Sequence, residues 1–280
     1  MREVAIIGAG ELGGLVAHVL ARRDVARSIR LIDETGRVAE GKALDIQQAA
    51  PVEGFATQMI GGTDVASAAG ASVIVVADRV GGEEWRGDDA LQLVRGLSRL
   101  SPRAVILCAG ASQRDVIERA VTEWRLPRTR LLGSAPEALA AAARALVALG
   151  ANGSPRDVAL TVLGVPPAHT IIPWEEATIA GVAIARVIDE PVRRRAAARI
   201  AALWPPGPYA LASAAAAAID AIAGRSRQIV SCFVGPDTAS GTRARAAALP
   251  TRLGAAGIVD VVTPALSGAD RVALDNAMNL

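Results

Sequence analysis

The stretch Gly8-Ala9-Gly10-Glu11-Leu12-Gly13 follows the apolar run Val4 to Ile7 and decides the fold class. In a strand, turn and helix unit, the first glycine permits a tight turn. The second lets backbone approach a pyrophosphate, and the third lets the helix pack closely on the strand. The N-terminus of that helix presents N–H groups and the positive end of its dipole, which favour a bound anion. The stretch therefore predicts a phosphate-binding turn.

A second signature lies twenty residues after Gly13, where Asp33 follows Arg30-Leu31-Ile32 at the expected end of a second strand. At the end of a second parallel strand, a carboxylate can accept hydrogen bonds from both hydroxyls of an adenosine ribose, and it repels a 2′-phosphate. The two signatures together predict a Rossmann domain that prefers NAD to NADP. We expect its cofactor contacts to come from Gly8, Ala9, Gly10, Glu11, Leu12, Gly13 and Asp33.

Six apolar runs alternate with helical stretches in the first half of the chain, and this order predicts a doubly wound parallel sheet. The runs are Val4 to Ile7, Ile29 to Ile32, Gln58 to Ile60, Ser72 to Ala77, Ala104 to Cys108 and Leu131-Leu132. After Pro136 the pattern changes to a long alanine-rich helix, followed by strands and helices of antiparallel character. We therefore expect a dinucleotide-binding Rossmann domain at 1–133 and a second, α+β domain at 134–280.

Charge and cysteine content narrow the functional classes. The chain has 280 residues with 30 basic and 28 acidic side chains, so a net charge of +2 gives no reason to expect a nucleic-acid partner. Cys108 and Cys232 lack metal-ligand spacing and cannot form a disulfide framework, which indicates buried thiols in a reducing cytoplasm and no metal site.

Two apolar stretches bear on location. The first, Val4 to Ile7, is a short strand that ends in glycines, not the basic segment and apolar helix of a secretory signal. The second, Ile200 to Ile219, carries no charge, but its three prolines and many alanines predict buried helix rather than a membrane span. We expect a cytoplasmic protein that does not bind a membrane.

Several further segments resemble the malate/lactate dehydrogenase family almost from end to end. The segment Gly41-Lys42-Ala43-Leu44-Asp45-Ile46 is specific to that family. Gly61-Gly62-Thr63-Asp64 resembles the family's turn before the fourth strand, and Val162-Leu163-Gly164 resembles the strand that enters its substrate site. The resemblance implies a Rossmann sheet followed by an α+β domain for the substrate and for oligomerisation at 134–280, and it implies NAD as the cofactor. It also implies a small 2-oxo or 2-hydroxy acid as substrate and a homodimer or homotetramer.

The family's catalytic positions fall on unsuitable residues. Reduction of a 2-oxo acid needs a proton donor at the carbonyl, a carboxylate that orients this donor, and arginines for the substrate carboxylate. The resemblance places the catalytic histidine at Pro167 or Pro166, depending on one gap. It places the orienting aspartate at Leu139 and an arginine at Ala142. None of these side chains can transfer a proton or bind a carboxylate.

Three nearby side chains remain as candidates for substrate chemistry. His169 lies about two residues beyond the expected histidine, and it is either a displaced acid–base group or a structural histidine. Arg86 matches the second arginine of the family's mobile loop. Arg79 is a substitute for the first, which is lost to Gly82, or else a loop arginine in solvent. Arg144 follows Ala142 by two residues, about 200° around a helix, and should point away from the site.

Two strand ends also depart from the family. The fifth strand ends in Cys108-Ala109-Gly110-Ala111, where the family has a Thr-Asn-Pro that holds the nicotinamide ribose and the substrate. Asp78 lies at the end of the fourth strand, near the expected cofactor path, where its carboxylate would disfavour a pyrophosphate.

Two functions stay open. The first is an NAD-dependent oxidoreductase of this family that acts on a 2-oxo or 2-hydroxy acid other than malate. The second is a catalytically inactive relative that serves as a dinucleotide-binding or oligomer-partner protein. The stretch from Pro166 to His169 discriminates between them, because a base supplied there favours an altered enzyme.

Overall fold

The first half of the chain forms a doubly wound parallel sheet in a computed structural model that describes residues 1–237 and 245–279. The strands follow the order β3-β2-β1-β4-β5-β6 and are all parallel. Their bounds are Glu3–Ile7 (β1), Ser28–Ile32 (β2), Gln58–Gly62 (β3), Val73–Val76 (β4), Val105–Cys108 (β5) and Leu131–Gly133 (β6). The predicted sheet is confirmed, and each predicted run contributes one strand.

Helices connect these strands and cover the sheet. They are Glu11–Arg22 (α1), Gly36–Glu53 (α2), Gly87–Leu100 (α3), Arg114–Trp124 (α4) and Ala135–Gly150 (α5). Every residue of β4 and β5 is buried, as expected for parallel strands covered on both faces. The strand order reverses between the neighbouring strands β1 and β4, so the crevice at their carboxyl ends is where an open α/β sheet places a ligand.

The second half extends the same sheet with antiparallel strands. Strand β12 pairs with β6, and the sheet continues through β13, β8 and β9. The later strands are Val158–Ala159 (β7), Leu163–Val165 (β8), His169–Ile171 (β9), Thr178–Ile179 (β10), Val182–Ala183 (β11), Val230–Val234 (β12), Ala247–Gly254 (β13) and Gly257–Val261 (β14). The later helices are Glu190–Ala201 (α6), Pro208–Ile222 (α7) and Gly268–Asn279 (α8).

The core does not divide at the predicted boundary. One buried cluster joins β1 to β6 with α7 and β12, which come from opposite sides of residue 133. A second, smaller cluster lies under α5 and includes Val158, Ile172 and Ile200. The sheet also continues across residues 133 and 134, where β6 pairs with β12. The division of the chain into two domains at 133/134 stays a prediction.

The uncharged run 200–219 holds the end of α6, a proline-containing connection and most of α7. Among the described residues, no helix combines the length and apolarity needed to cross a membrane.

Candidate functional site

The glycine turn between β1 and α1 is as tight as the sequence predicts. Gly8 has a φ of +109°, and a Cβ at this position would lie 2.2 Å from the carbonyl oxygen of Asp78. A Cβ at Gly13 would lie 2.0 Å from the carbonyl oxygen of Gly8. Both positions therefore require glycine, because a methyl group would collide with backbone. The turn brings the N-terminus of α1 against the end of β4.

The carboxylate of Asp78 caps helix α1 from another strand. Its Oδ1 accepts a hydrogen bond from the N–H of Gly13 at 2.8 Å, and its Oδ2 accepts one from the N–H of Leu12 at 3.1 Å. The carbonyl oxygen of Asp78 also accepts the N–H of Gly10 at 3.0 Å. Gly10 itself occupies the N-cap position of α1 and offers no side chain, so the cap comes from the end of β4. Asp78 is only 5% exposed.

The second signature residue, Asp33, is also engaged by backbone. Its Oδ2 accepts the N–H groups of Ala9 at 2.9 Å and Val80 at 3.1 Å, and its Oδ1 accepts the N–H of Thr35 at 2.9 Å. A carboxylate offers about four lone-pair sites, so three are used. Asp33 is 7% exposed. It lies beside the glycine turn, as the spacing predicts, but it has little capacity left for two ribose hydroxyls.

The loop after β4 folds back over the ends of the strands. Asp78 and Glu84 pair in an antiparallel bridge, and the N–H of Arg79 donates to the carbonyl oxygen of Glu83 at 2.9 Å. The carboxylate of Glu84 accepts the N–H groups of Ala111 at 3.1 Å and Ser112 at 2.8 Å. Glu84 therefore sits on the end of β5, where the resemblance expects contacts to the nicotinamide ribose.

Lys42 ties the family-specific segment of α2 to the glycine turn. Its Nζ donates to the carbonyl oxygens of Ala9 at 2.8 Å and Gly10 at 2.6 Å. Sequence reasoning did not identify this role. The signals that point to it are the position of Lys42 inside the family-specific segment and the absence of any other lysine from the chain.

In the structure, the protein itself occupies much of the crevice in which the fold places a dinucleotide. An ideal Cβ on Gly10 would lie 2.4 Å from Asp78 Cγ, so the carboxylate fills the space over the glycine that a pyrophosphate would approach. The cavity beside Asp33 and Trp85 measures about 100 Å³, whereas ligand pockets span about 300–1,000 Å³. The glycine turn and Asp33 lie together as predicted. However, the carboxylate of Asp78 accepts the N–H groups of α1 and fills the space over Gly10.

The positions to which the resemblance assigns the proton donor and its orienting aspartate carry apolar side chains. Pro166 is buried and Pro167 exposed in the connection between β8 and β9, and Leu139 on α5 is fully buried. His169 begins β9, pairs with Val165 and is exposed. Within residues 1–237 and 245–279, no hydrogen bond or ion pair involves its ring. The structure thus supplies no carboxylate to orient a displaced histidine.

The two candidate loop arginines, Arg79 and Arg86, have different surroundings. The guanidinium carbon of Arg79 stacks over the ring of Trp85 at 3.8 Å from its centroid, and its NH2 lies 3.6 Å from Asp89. Arg86 stands at the N-terminal cap position of α3 and is exposed. Arg79 is therefore held by its own loop, and of the two only Arg86 faces solvent freely. Their assignment to a substrate remains a prediction.

Arg144 points to the face of α5 away from Leu139 and Ala142, as helical geometry predicts. It pairs with the carboxylate of Glu137 and donates to the carbonyl oxygen of Leu160 at 3.2 Å. Glu137 also accepts the N–H of Ser231 at 2.9 Å, which joins α5 to β12. Glu137, Arg144 and Leu160 line a cavity of about 870 Å³. The Glu137–Arg144 pair therefore connects α5 to the segment before β8 and to β12.

Both cysteines are free and buried, as predicted. Burial raises the pKa of each thiol to about 12, and a nearby glutamate adds to the effect, Glu84 for Cys108 and Glu137 for Cys232. In the part of the chain that the structure describes, no three His, Cys, Asp or Glu side chains group as a metal site requires.

Comparison with known proteins identifies the relatives of the chain. The profile of the lactate/malate dehydrogenase NAD binding domain matches residues 2–94. A malate dehydrogenase of Thioalkalivibrio sulfidiphilus is 31% identical over 99% of this chain and 96% of its own length. The structure superposes on malate dehydrogenase from Salinibacter ruber with a TM-score of 0.81 at 24% identity, covering 99% of this chain and 94% of that one.

A second solved structure shares the fold. Lactate dehydrogenase from Cryptosporidium parvum, complexed with lactic acid and NAD, superposes with a TM-score of 0.81 at 20% identity over 99% of this chain and 94% of that one. The family profile confirms the prediction that the N-terminal domain is an NAD-binding domain. Together with the curated relative, it shows that the chain belongs to the malate/lactate dehydrogenase family.

Proposed function

We propose that this chain is a catalytically inactive member of the malate/lactate dehydrogenase family, in which the NAD-binding domain is retained and the chemistry on a 2-oxo acid is lost. The observation that carries the proposal is the pair Pro166-Pro167, on which the family resemblance places the proton donor. A proline ring has no proton to give, and its neighbours in the β8–β9 connection offer no substitute held by a carboxylate.

The orienting side of the site supports the same conclusion. Leu139 is fully buried among apolar groups of α5, where the family resemblance expects the aspartate. Ala142 replaces the arginine, and the nearest arginine on the helix, Arg144, is committed to Glu137 on another face. A 2-oxo acid would therefore find neither a proton donor nor a cation for its carboxylate on α5.

The proposal leaves binding and assembly as the retained roles. We expect the homodimer or homotetramer that the family resemblance implies, located in the cytoplasm. The N-terminal domain binds a dinucleotide on this proposal, and the chain does not turn over malate. The alternative is an oxidoreductase that acts on another 2-oxo acid through His169.

An assay of NADH oxidation with oxaloacetate, pyruvate and 2-oxobutyrate tests the proposal. General acid–base catalysis contributes about 10²–10⁴ in rate, and loss of electrostatic stabilisation costs about another 10²–10³. Ordinary enzymes turn over at a median of about 10 s⁻¹, so we expect less than about 10⁻³ s⁻¹. NADH binding is measured in the same samples, so that an empty cofactor site is not mistaken for lost chemistry.

The variant His169→Ala is the matched control. On the proposal it leaves the background rate unchanged, because the ring has no catalytic role. Turnover of any of the three acids near 1 s⁻¹ that disappears in His169→Ala would instead establish the altered oxidoreductase.

A further inference from the structure

The anion-binding end of helix α1 is occupied by the protein itself. A helix N-terminus that follows a glycine turn binds phosphate because its first N–H groups and its dipole are free to receive negative charge. Here those N–H groups, from Leu12 and Gly13, already donate to the buried carboxylate of Asp78. The negative charge of Asp78 therefore lies where the negative charge of a bound pyrophosphate would lie.

The approach over Gly10 leaves no room for both groups. The ideal Cβ position of Gly10 lies 2.4 Å from both Cγ and Oδ2 of Asp78 and 2.5 Å from the carbonyl oxygen of Arg79. A pyrophosphate on this glycine would overlap the carboxylate and the first peptide of the loop. Electrostatic repulsion opposes pyrophosphate binding as well, because a carboxylate and a diphosphate at contact distance repel each other strongly in a buried site.

The loop that follows Asp78 is fastened at two further points. The N–H of Val80 donates to Asp33, and the carboxylate of Glu84 accepts two N–H groups at the start of the turn that leads into α4. Trp85 lies beside the small cavity next to Asp33, with Arg79 stacked on its ring. The same segment therefore covers the adenosine side and the nicotinamide side of the crevice.

We propose that residues 78–86 are a built-in plug of the dinucleotide site, and that Asp78 competes directly with the cofactor pyrophosphate for the N-terminus of α1. Binding of NAD then requires the plug to open, so the measured affinity is the intrinsic affinity reduced by the fraction of open molecules. The inference rests on the NAD-binding domain and does not depend on the loss of hydride-transfer chemistry.

Calorimetric titration with NADH of the full-length protein and its variants tests this inference. Asp78→Ala removes the competing anion, and we expect it to bind NADH about tenfold or more tightly than the unmodified protein. Glu83→Ala is the matched control, because Glu83 lies in the same loop, is exposed and carries the same charge. We expect its affinity to stay within about twofold of the unmodified protein, because Glu83 faces solvent and is screened.

Circular dichroism establishes that each variant is folded. If Asp78→Ala does not fold, Asp78→Asn keeps the volume of the side chain and one acceptor oxygen while removing the charge. It should then bind NADH more tightly than the unmodified protein by about threefold or more, because only the repulsion is relieved.

Three results would overturn the proposal. Equal affinities in the unmodified protein and the Asp78 variant would show that the carboxylate is only a structural cap. An equal gain in Glu83→Ala would assign the effect to net charge. Absence of NADH binding in every variant would show that removing the plug does not restore a site. None of these readouts depends on turnover, so they are independent of the assay with 2-oxo acids.

Discussion

Asp33, Asp78 and Glu84 all accept hydrogen bonds from backbone N–H groups at the carboxyl edge of the parallel sheet. Bonds to charged acceptors contribute about 1.5–3 kcal/mol each, and two of these carboxylates are buried. The sequence suggested that Asp78 would disfavour a pyrophosphate. It did not indicate that the same carboxylate caps α1, because the cap joins residues more than sixty positions apart and depends on the packing of β4 beside β1.

The two thiols give a residue-scale prediction about reactivity. The thiolate is the nucleophile, and burial raises the pKa of Cys108 and Cys232 to about 12, so at pH 8 only about one thiol in 10⁴ is ionised. We expect the native protein to incorporate no iodoacetamide in an hour at pH 8, as measured by mass spectrometry, and the urea-unfolded protein to incorporate two groups.

The contribution of the two thiols to the stability of the native state decreases as the pH rises. A thiol whose pKa is raised by folding stabilises the native state below its unfolded pKa, and this stability is lost as the pH rises through the folded value. Alkylation of the native protein should therefore stay slow up to about pH 10 and accelerate only as the protein opens. Rapid labelling of either cysteine in the folded protein at pH 8 would contradict the burial of that thiol.

At the level of elements, two helix glycines make a matched pair. Gly13 in α1 has its ideal Cβ 2.0 Å from the carbonyl oxygen of Gly8, whereas Gly41 in α2 is exposed with nothing within 4 Å of its Cβ. Gly13→Ala should lower the free energy of unfolding by about 1–3 kcal/mol or more, because β1 and α1 must separate. Gly41→Ala should raise it by about 0.5–1 kcal/mol through helix propensity.

Urea denaturation followed by circular dichroism measures both changes. Each variant adds one methyl group to a helix, so the comparison isolates the close approach of α1 to β1. Shifts of the same sign and size in the two variants would show that the glycine turn is not packed as tightly as the structure describes.

The elements differ in how far the sequence could predict them. The strands β1 to β6 were predictable because each is a short apolar run between helical stretches, and Arg144 was predictable because the 100° step of a helix fixes its face. The loop of residues 79–86 was not, since its shape depends on Glu84 reaching N–H groups on Ala111 and Ser112 across the sheet edge. The lack of a proton donor at Pro166, Pro167 and Leu139 was predictable from residue type alone, because proline and leucine side chains cannot transfer a proton wherever they lie.

On the scale of the whole molecule, the two halves share one sheet and are joined by half-buried polar links. Strand β12 continues the parallel strands beside β6, and the N–H of Ala246, next to β13, donates to the carboxylate of Glu118 on α4 at 2.9 Å. Asp220 of α7 also pairs with Arg23 at the end of α1, at 2.6 Å between Oδ2 and NH1, and both side chains are half-buried. On the proposed function, the chain keeps this continuity without the family's acid–base residues, and its architecture serves binding or assembly, since site chemistry and fold are separable.

This continuity predicts cooperative unfolding of the two halves. Because buried β4 and β12 belong to one apolar cluster, neither half can unfold without exposing the core of the other. Hydrogen exchange with mass spectrometry at increasing urea should show peptides from Val73–Val76 and Val230–Val234 losing protection at the same midpoint, within about 0.3 M. Helix α6, in which only Ile200 is buried, is the internal control and should exchange at lower urea by local opening. Midpoints for β4 and β12 that differ by about 1 M or more would mean that the chain unfolds as two independent domains, with the sheet dividing near residue 133.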